Sequence, residues 1–112
     1  MTDPYFSEAV ALLGELVATP RVSRDEGRAA DILFDRMSQW GLKAHRIYNN
    51  VYVLPDSTDP AKPTLLLNAH IDTVKAVSTW TRDPHRPDIV DGRLYGLGSN
   101  DCGGGLVSLL AV

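Results

Sequence analysis

The sequence predicts an α/β fold in which helices pack on a mixed β-sheet, and three observations lead there. Two stretches with apolar residues at helical spacing open the chain. Short apolar runs bounded by turn residues follow, and a third helical run comes last. That run, Leu106 to Val112, carries no stop signal and ends while still apolar. Apolar terminal turns need something to pack on, so residues 1–112 read as a single, truncated part of a larger catalytic or structural domain.

The first helix is predicted to begin with Asp3 as cap and Pro4 in the first helical position. Phe6, Val10, Leu13 and Val17 recur on one stripe, and Thr19-Pro20 ends the helix. Ser23-Arg24-Asp25-Glu26 has the spacing of a capping box for a second helix. Its apolar face carries Ala30, Leu33, Phe34, Met37 and Trp40, and Gly41 supplies a left-handed stop. Ala44 to Tyr48 and Val51 to Leu54 are predicted strands joined at Asn49-Asn50, since asparagine tolerates positive φ. A polar loop leads to Thr64-Leu65-Leu66-Leu67-Asn68-Ala69-His70, which is too short for a helix between such flanks. It reads as a central strand buried on both faces. Asp91-Gly92, between Ile89-Val90 and Arg93-Leu94, marks a second hairpin. A glycine-rich turn then enters the last helix.

Composition narrows the function classes. A net charge of -3, with no basic run, argues against a nucleic-acid partner. The acidic start, Met1-Thr2-Asp3-Pro4, leads into no continuous apolar stretch, so neither a signal peptide nor a membrane span is expected. One cysteine excludes an intrachain disulfide and fits a reducing compartment. The expectation is a cytoplasmic protein.

The chemistry gathers in two segments. His70 ends the predicted central strand, where crevices of α/β sheets open. Imidazole suits zinc and its transition-metal neighbours. Asp72, two residues on, shares a face with His70 in an extended chain and can hold the ring's other N–H, fixing the tautomer. Asp101 follows a turn containing Gly96 and Gly98, and a carboxylate so placed has two oxygens with which to bridge metals. Plainer readings exist for each piece. A lone His-x-Asp is common in structural roles, Asp101 serves equally as a helix cap, and a glycine-rich turn before a helix also cradles phosphate. The turn has no lysine and no phosphate-loop pattern. Cys102 has no evident histidine partner and reads as a small, buried residue.

Taken as an ordered series, His70-Ile71-Asp72-Thr73-Val74, Trp80, Asp83-Pro84, Asp91-Gly92-Arg93-Leu94-Tyr95-Gly96-Leu97-Gly98 and Asp101 resemble the N-terminal part of the M20 catalytic domain. M20 enzymes are zinc-dependent amidohydrolases and exopeptidases, and Gly-Leu-Gly-Ser-Asn-Asp is most similar to the acetylornithine deacetylase-like branch. The resemblance implies a zinc-peptidase-like fold in part and a role in amino-acid biosynthesis. It implies two zinc (or cobalt) ions in the complete enzyme, with His70 a ligand of one, Asp72 orienting it and Asp101 bridging both. It implies a cis peptide after Asp101. The implied substrate is a small N-acyl amino acid or short peptide. The family's Glu-Glu pair, holding the general base, is absent from these residues, and Leu97 and Gly103 stand where relatives often have arginine and lysine.

Two expectations follow for the chain itself. Two ligands fall short of the three that zinc sites usually take from protein, so it binds metal weakly and hydrolyses nothing. Faces meant to be covered stay open, so it self-associates. The competing reading is a non-catalytic structural or interaction module that retains the scaffold.

Overall fold

The computed structural model describes residues 3–112. Helix α1 spans Pro4–Ala18. Asp3 caps it by accepting the Tyr5 N–H at 2.9 Å, and Pro4 occupies the first turn, where its missing N–H costs nothing. The helix stops as expected at Thr19, whose N–H turns back to the Leu16 carbonyl. Its buried face differs from the expected stripe. Leu12, Leu16 and Val17 are buried, whereas Phe6 is exposed. The stripe is turned because α1 packs mainly through its C-terminal half, against helices α2 and α3, leaving the first turns uncovered.

Helix α2 spans Gly27–Gln39 and buries Ala29, Ala30, Leu33 and Met37. Gly41, at φ 80°, ends it in the left-handed conformation the sequence called for. The capping box does not form. Glu26 is the cap residue and makes no side-chain cap bond: Arg24 takes positive φ beside the Val22–Thr73 bridge, so the helix begins only at Gly27 and Ser23 lies too far upstream to cap it; its hydroxyl donates to the distant Asp72 carboxylate instead. Helix α3, Gly105–Ala111, buries Leu106 and Val107. Leu12, Leu16, Ala29, Leu33, Leu106 and Val107 form the core where the three helices meet. Each large aliphatic side chain buried there stabilises the fold by roughly 1.5–3 kcal/mol.

The sheets are small. Strands β1 (Ala44–Ile47) and β2 (Asn50–Val53) pair antiparallel, with Ile47 opposite Asn50. The turn is therefore Tyr48-Asn49, one residue earlier than expected, and positive φ falls on Tyr48. Strands β3 (Ile89–Val90) and β4 (Arg93–Leu94) form the second hairpin across Asp91-Gly92, both at positive φ as a type I′ turn requires. The α/β class holds, but pairing in both ladders is antiparallel; among the described residues, parallel pairing occurs only at the single bridge Val22–Thr73.

The expected central strand is the main correction. Residues 64–70 join no ladder, and Leu65 and Leu66 are 82% and 81% exposed. A crevice lined by Leu33, Met37, Val51, Val53, Leu67 and Ile71 separates this run from β2. An apolar run becomes a buried strand only when a neighbour satisfies its backbone, and no described residue fills the crevice.

Candidate metal centre

Two loops bring the chemistry together. One is the continuation of the 64–70 run through His70, Ile71, Asp72 and Thr73. Its course is fixed by the Val22–Thr73 bridge, where the Thr73 N–H donates to the Arg21 carbonyl at 2.8 Å and the Ser23 N–H to the Thr73 carbonyl at 3.3 Å. The other runs from Gly96 through a wide turn, Ser99–Gly104, into α3. Gly96 and Gly98 sit at φ 146° and 77°, where a side chain would be strained. The Gly103 N–H donates to the Gly98 carbonyl at 2.9 Å and closes the loop that carries Asp101. The Asp101–Cys102 peptide is cis.

His70 and Asp101 meet across this gap. His70 Nε2 lies 2.9 Å from Asp101 Oδ1. On the other side of the ring, Nδ1 lies 3.0 Å from the Asp72 carbonyl and 3.3 Å from Asp72 Oδ1. A carbonyl only accepts, so Nδ1 carries the hydrogen and Nε2 keeps the lone pair when the ring is neutral. Asp72 is held in turn by the Ser23 hydroxyl, which donates to Oδ2. The cleft is lined by Ser23, His70, Asp72, Thr73, Leu97 and Asp101 among others.

The electrostatics follow from these contacts. Asp101 beside Nε2 favours the protonated ring and raises the His70 pKa above its usual value; partial burial opposes this, and the Asp72 carbonyl adds to it. The Ser23 hydroxyl stabilises the Asp72 carboxylate and holds its pKa below the usual range, with His70 contributing.

The donor set suits a divalent transition metal as far as it goes. A tetrahedral zinc with ligands at about 2.0–2.2 Å would hold an imidazole nitrogen and a carboxylate oxygen roughly 3.3 Å apart. The observed 2.9 Å needs an opening of only a few tenths of an ångström. When the ring is protonated, its Nε2–H points to Asp101 along the direction a metal would take. No group of three or more His, Cys, Asp or Glu side chains among the described residues is placed to hold a metal ion, so the pair amounts to two donors and not a closed site. Cys102 does not extend it, for its thiol faces the His70 carbonyl at 3.4 Å.

Two further residues hold this site, and sequence reasoning assigned neither to it. Ser23 was read as a cap. Arg21 carried no signal, being a single arginine after Thr19-Pro20, yet it is 1% exposed and spans both loops.

The same residues are matched by sequence comparison. Residues 66–112 match the model of peptidase family M20/M25/M40. This segment resembles the M20 family. Similarity to individual proteins extends over nearly the whole chain. It is 34% identical over 110 residues to a succinyl-diaminopimelate desuccinylase of Methylorubrum extorquens, covering 91% of this chain and 29% of that protein. Proteins of the same name from Cereibacter sphaeroides and Parvibaculum lavamentivorans are 32% and 31% identical, covering 93% and 96% of this chain. The chain thus spans a little under a third of the length of the curated relatives it matches. Gly103 leaves no room for a side chain. A Cβ there would lie 2.5 Å from the Gly98 carbonyl oxygen and 2.6 Å from Leu13 Cδ1.

Proposed function

We propose that this chain is the N-terminal, metal-holding part of an M20 amidohydrolase that cleaves the amide bond of a small N-acyl amino acid or short peptide. The observation that carries the reading is the approach of His70 Nε2 to Asp101 Oδ1, with Nδ1 already engaged by Asp72. His70 and Asp101 would hold the metal, Asp101 with a second oxygen free to bridge to another ion. Zinc or cobalt suits the nitrogen–oxygen donors. When bound, such a metal supplies Lewis-acid polarisation and a water of lowered pKa. Asp72 fixes the ring so that Nε2 faces the metal, and Ser23 fixes Asp72.

The 112 residues contain three glutamates, Glu8, Glu15 and Glu26; Glu26 lines an adjoining cavity with His70 and Asp72, but none lines the cleft that holds Asp101. The general base therefore comes from sequence beyond this segment, and the segment by itself hydrolyses nothing. The relatives' names favour removal of a succinyl group, whereas Gly96–Asp101 resembles the acetylornithine deacetylase branch. Both are N-acyl amino acids, so the reaction class is common to the two. No described helix is long and apolar enough to cross a membrane, and a cytoplasmic biosynthetic enzyme is the setting we propose. Self-association of the segment through its open apolar faces belongs to the same reading.

The test has two arms. Cobalt titration of the chain, followed by NMR, is expected to show weak binding that broadens His70 and Asp101 signals and disappears in His70→Ala. Tight stoichiometric binding, or binding unaffected by His70→Ala, would reject the assignment. The longer protein carrying this chain is expected to release the free amine from N-succinyl or N-acetyl amino acids and to lose that activity in Asp101→Ala.

A further inference from the structure

Arg21 is the largest fully buried side chain among the described residues. A guanidinium cannot lose its charge in a protein, so burying one demands partners. Its partners here are two carbonyls. Nη1 donates to the Ile71 carbonyl at 2.8 Å, and Nη2 donates to the Gly98 carbonyl at 3.1 Å. Nε is buried and unpartnered. Arg21 makes no direct ion pair among the described residues. A residue kept there only for stability would be better served by an apolar side chain of similar volume.

The two carbonyls explain its presence. Ile71 is the residue after His70. Gly98 opens the wide turn, and its carbonyl also takes the Gly103 N–H that closes the loop around Asp101. One planar, rigid fork therefore ties the His70 loop to the Asp101 loop at a fixed separation. The packing is tight enough to exclude side chains. A Cβ on Gly98 would lie 2.6 Å from Nη2 and 2.5 Å from Thr73 Cγ2.

We propose that Arg21 is a positioning residue that sets the distance between His70 Nε2 and Asp101 Oδ1. Its functional meaning rests on the metal reading above, but the geometric assignment does not. It acts through the backbone of both loops and touches neither reacting group.

The experiment is NMR on the isotopically labelled, metal-free chain, with cobalt titration as a second measurement. Contacts between the His70 ring and the Asp101 side chain are expected in the parent. Arg21→Met keeps the packed stem but loses both hydrogen bonds, and Arg21→Ala also opens a guanidinium-sized cavity. Both are expected to lose the His70–Asp101 contacts while retaining those among Leu12, Leu16 and Leu33. Cobalt affinity should fall about 10-fold or more, as for other groups that orient ligands from outside. Millimolar guanidinium should restore the contacts in Arg21→Ala and not in Arg21→Met. A folded Arg21→Met variant with the His70–Asp101 contacts intact would overturn the proposal, as would loss of core and loop contacts together in both variants. Failure of the parent to bind cobalt, with contacts still dependent on Arg21, would overturn the metal reading alone.

Discussion

The Ser23 hydroxyl donates to the Asp72 carboxylate across 49 residues of sequence. The bond links the α1–α2 loop to the residue that orients His70, and it is the largest reason why the Asp72 pKa is lowered. A lowered carboxylate pKa contributes stability that is present above the ordinary value of 3.8 and is lost as pH falls through the folded value. Ser23→Ala is therefore expected to cost about 1 kcal/mol near neutral pH, a figure kept small because the carboxylate is partly solvated. The cost should vanish in acid. Urea denaturation of both proteins from neutral pH down through the Asp72 transition checks this, and a pH-independent difference would contradict it.

His70 works in the opposite sense. Its pKa is raised, chiefly by Asp101, so the stability it contributes is full below its ordinary value of 6.5 and is lost as pH rises through the folded value. Asp101→Asn should destabilise the metal-free chain by less than about 1 kcal/mol on the acid side of that transition, since the pair is exposed. On the alkaline side it should cost less still. Cobalt affinity should run the other way and rise with pH, because the metal competes with the proton on Nε2. Thermal melts and metal titrations at matched pH values measure both trends.

Gly96 and Gly105 form a contrasting pair. A Cβ on Gly96, at φ 146°, would sit 2.2 Å from Val17 Cγ1. Gly96→Ala is expected to cost about 2 kcal/mol or more through combined backbone strain and core overlap. Gly105 has helical backbone angles and open space around it. Gly105→Ala should be neutral or stabilise by about 0.5–1 kcal/mol. Denaturant midpoints distinguish the two, and a tolerated Gly96→Ala would show that the turn is looser than described.

The 64–70 run presents Leu65 and Leu66 almost fully to solvent. If these side chains drive association, Leu66→Asp should shift the segment toward monomer in light scattering. It should change unfolding free energy by less than about 0.5 kcal/mol, as expected for an exposed position. An unchanged mass distribution would place the association elsewhere.

Some elements were legible because their causes lie within a few residues. Asp3-Pro4 starts α1, Gly41 stops α2, and Asp91-Gly92 turns the second hairpin, each through a local cap or φ preference. Ser23-Arg24-Asp25-Glu26 also had the local pattern of a cap, but the bridge from Val22 to the distant Thr73 holds Ser23 outside the helix, which begins at Gly27. Phe6 had the right spacing for the core and no element to cover it. Thr64–His70 had the composition of a central strand and no paired neighbour.

By itself the sequence singled out the candidate side chains, His70, Asp72 and Asp101, and where the backbone must turn to present them. Those properties depend on residue type and immediate neighbours. Only the tertiary structure decided that Nε2 and Oδ1 face each other and that Arg21 and Ser23 hold them there. These contacts join residues 31 to 77 positions apart, and no periodicity or local motif encodes a partner at that range.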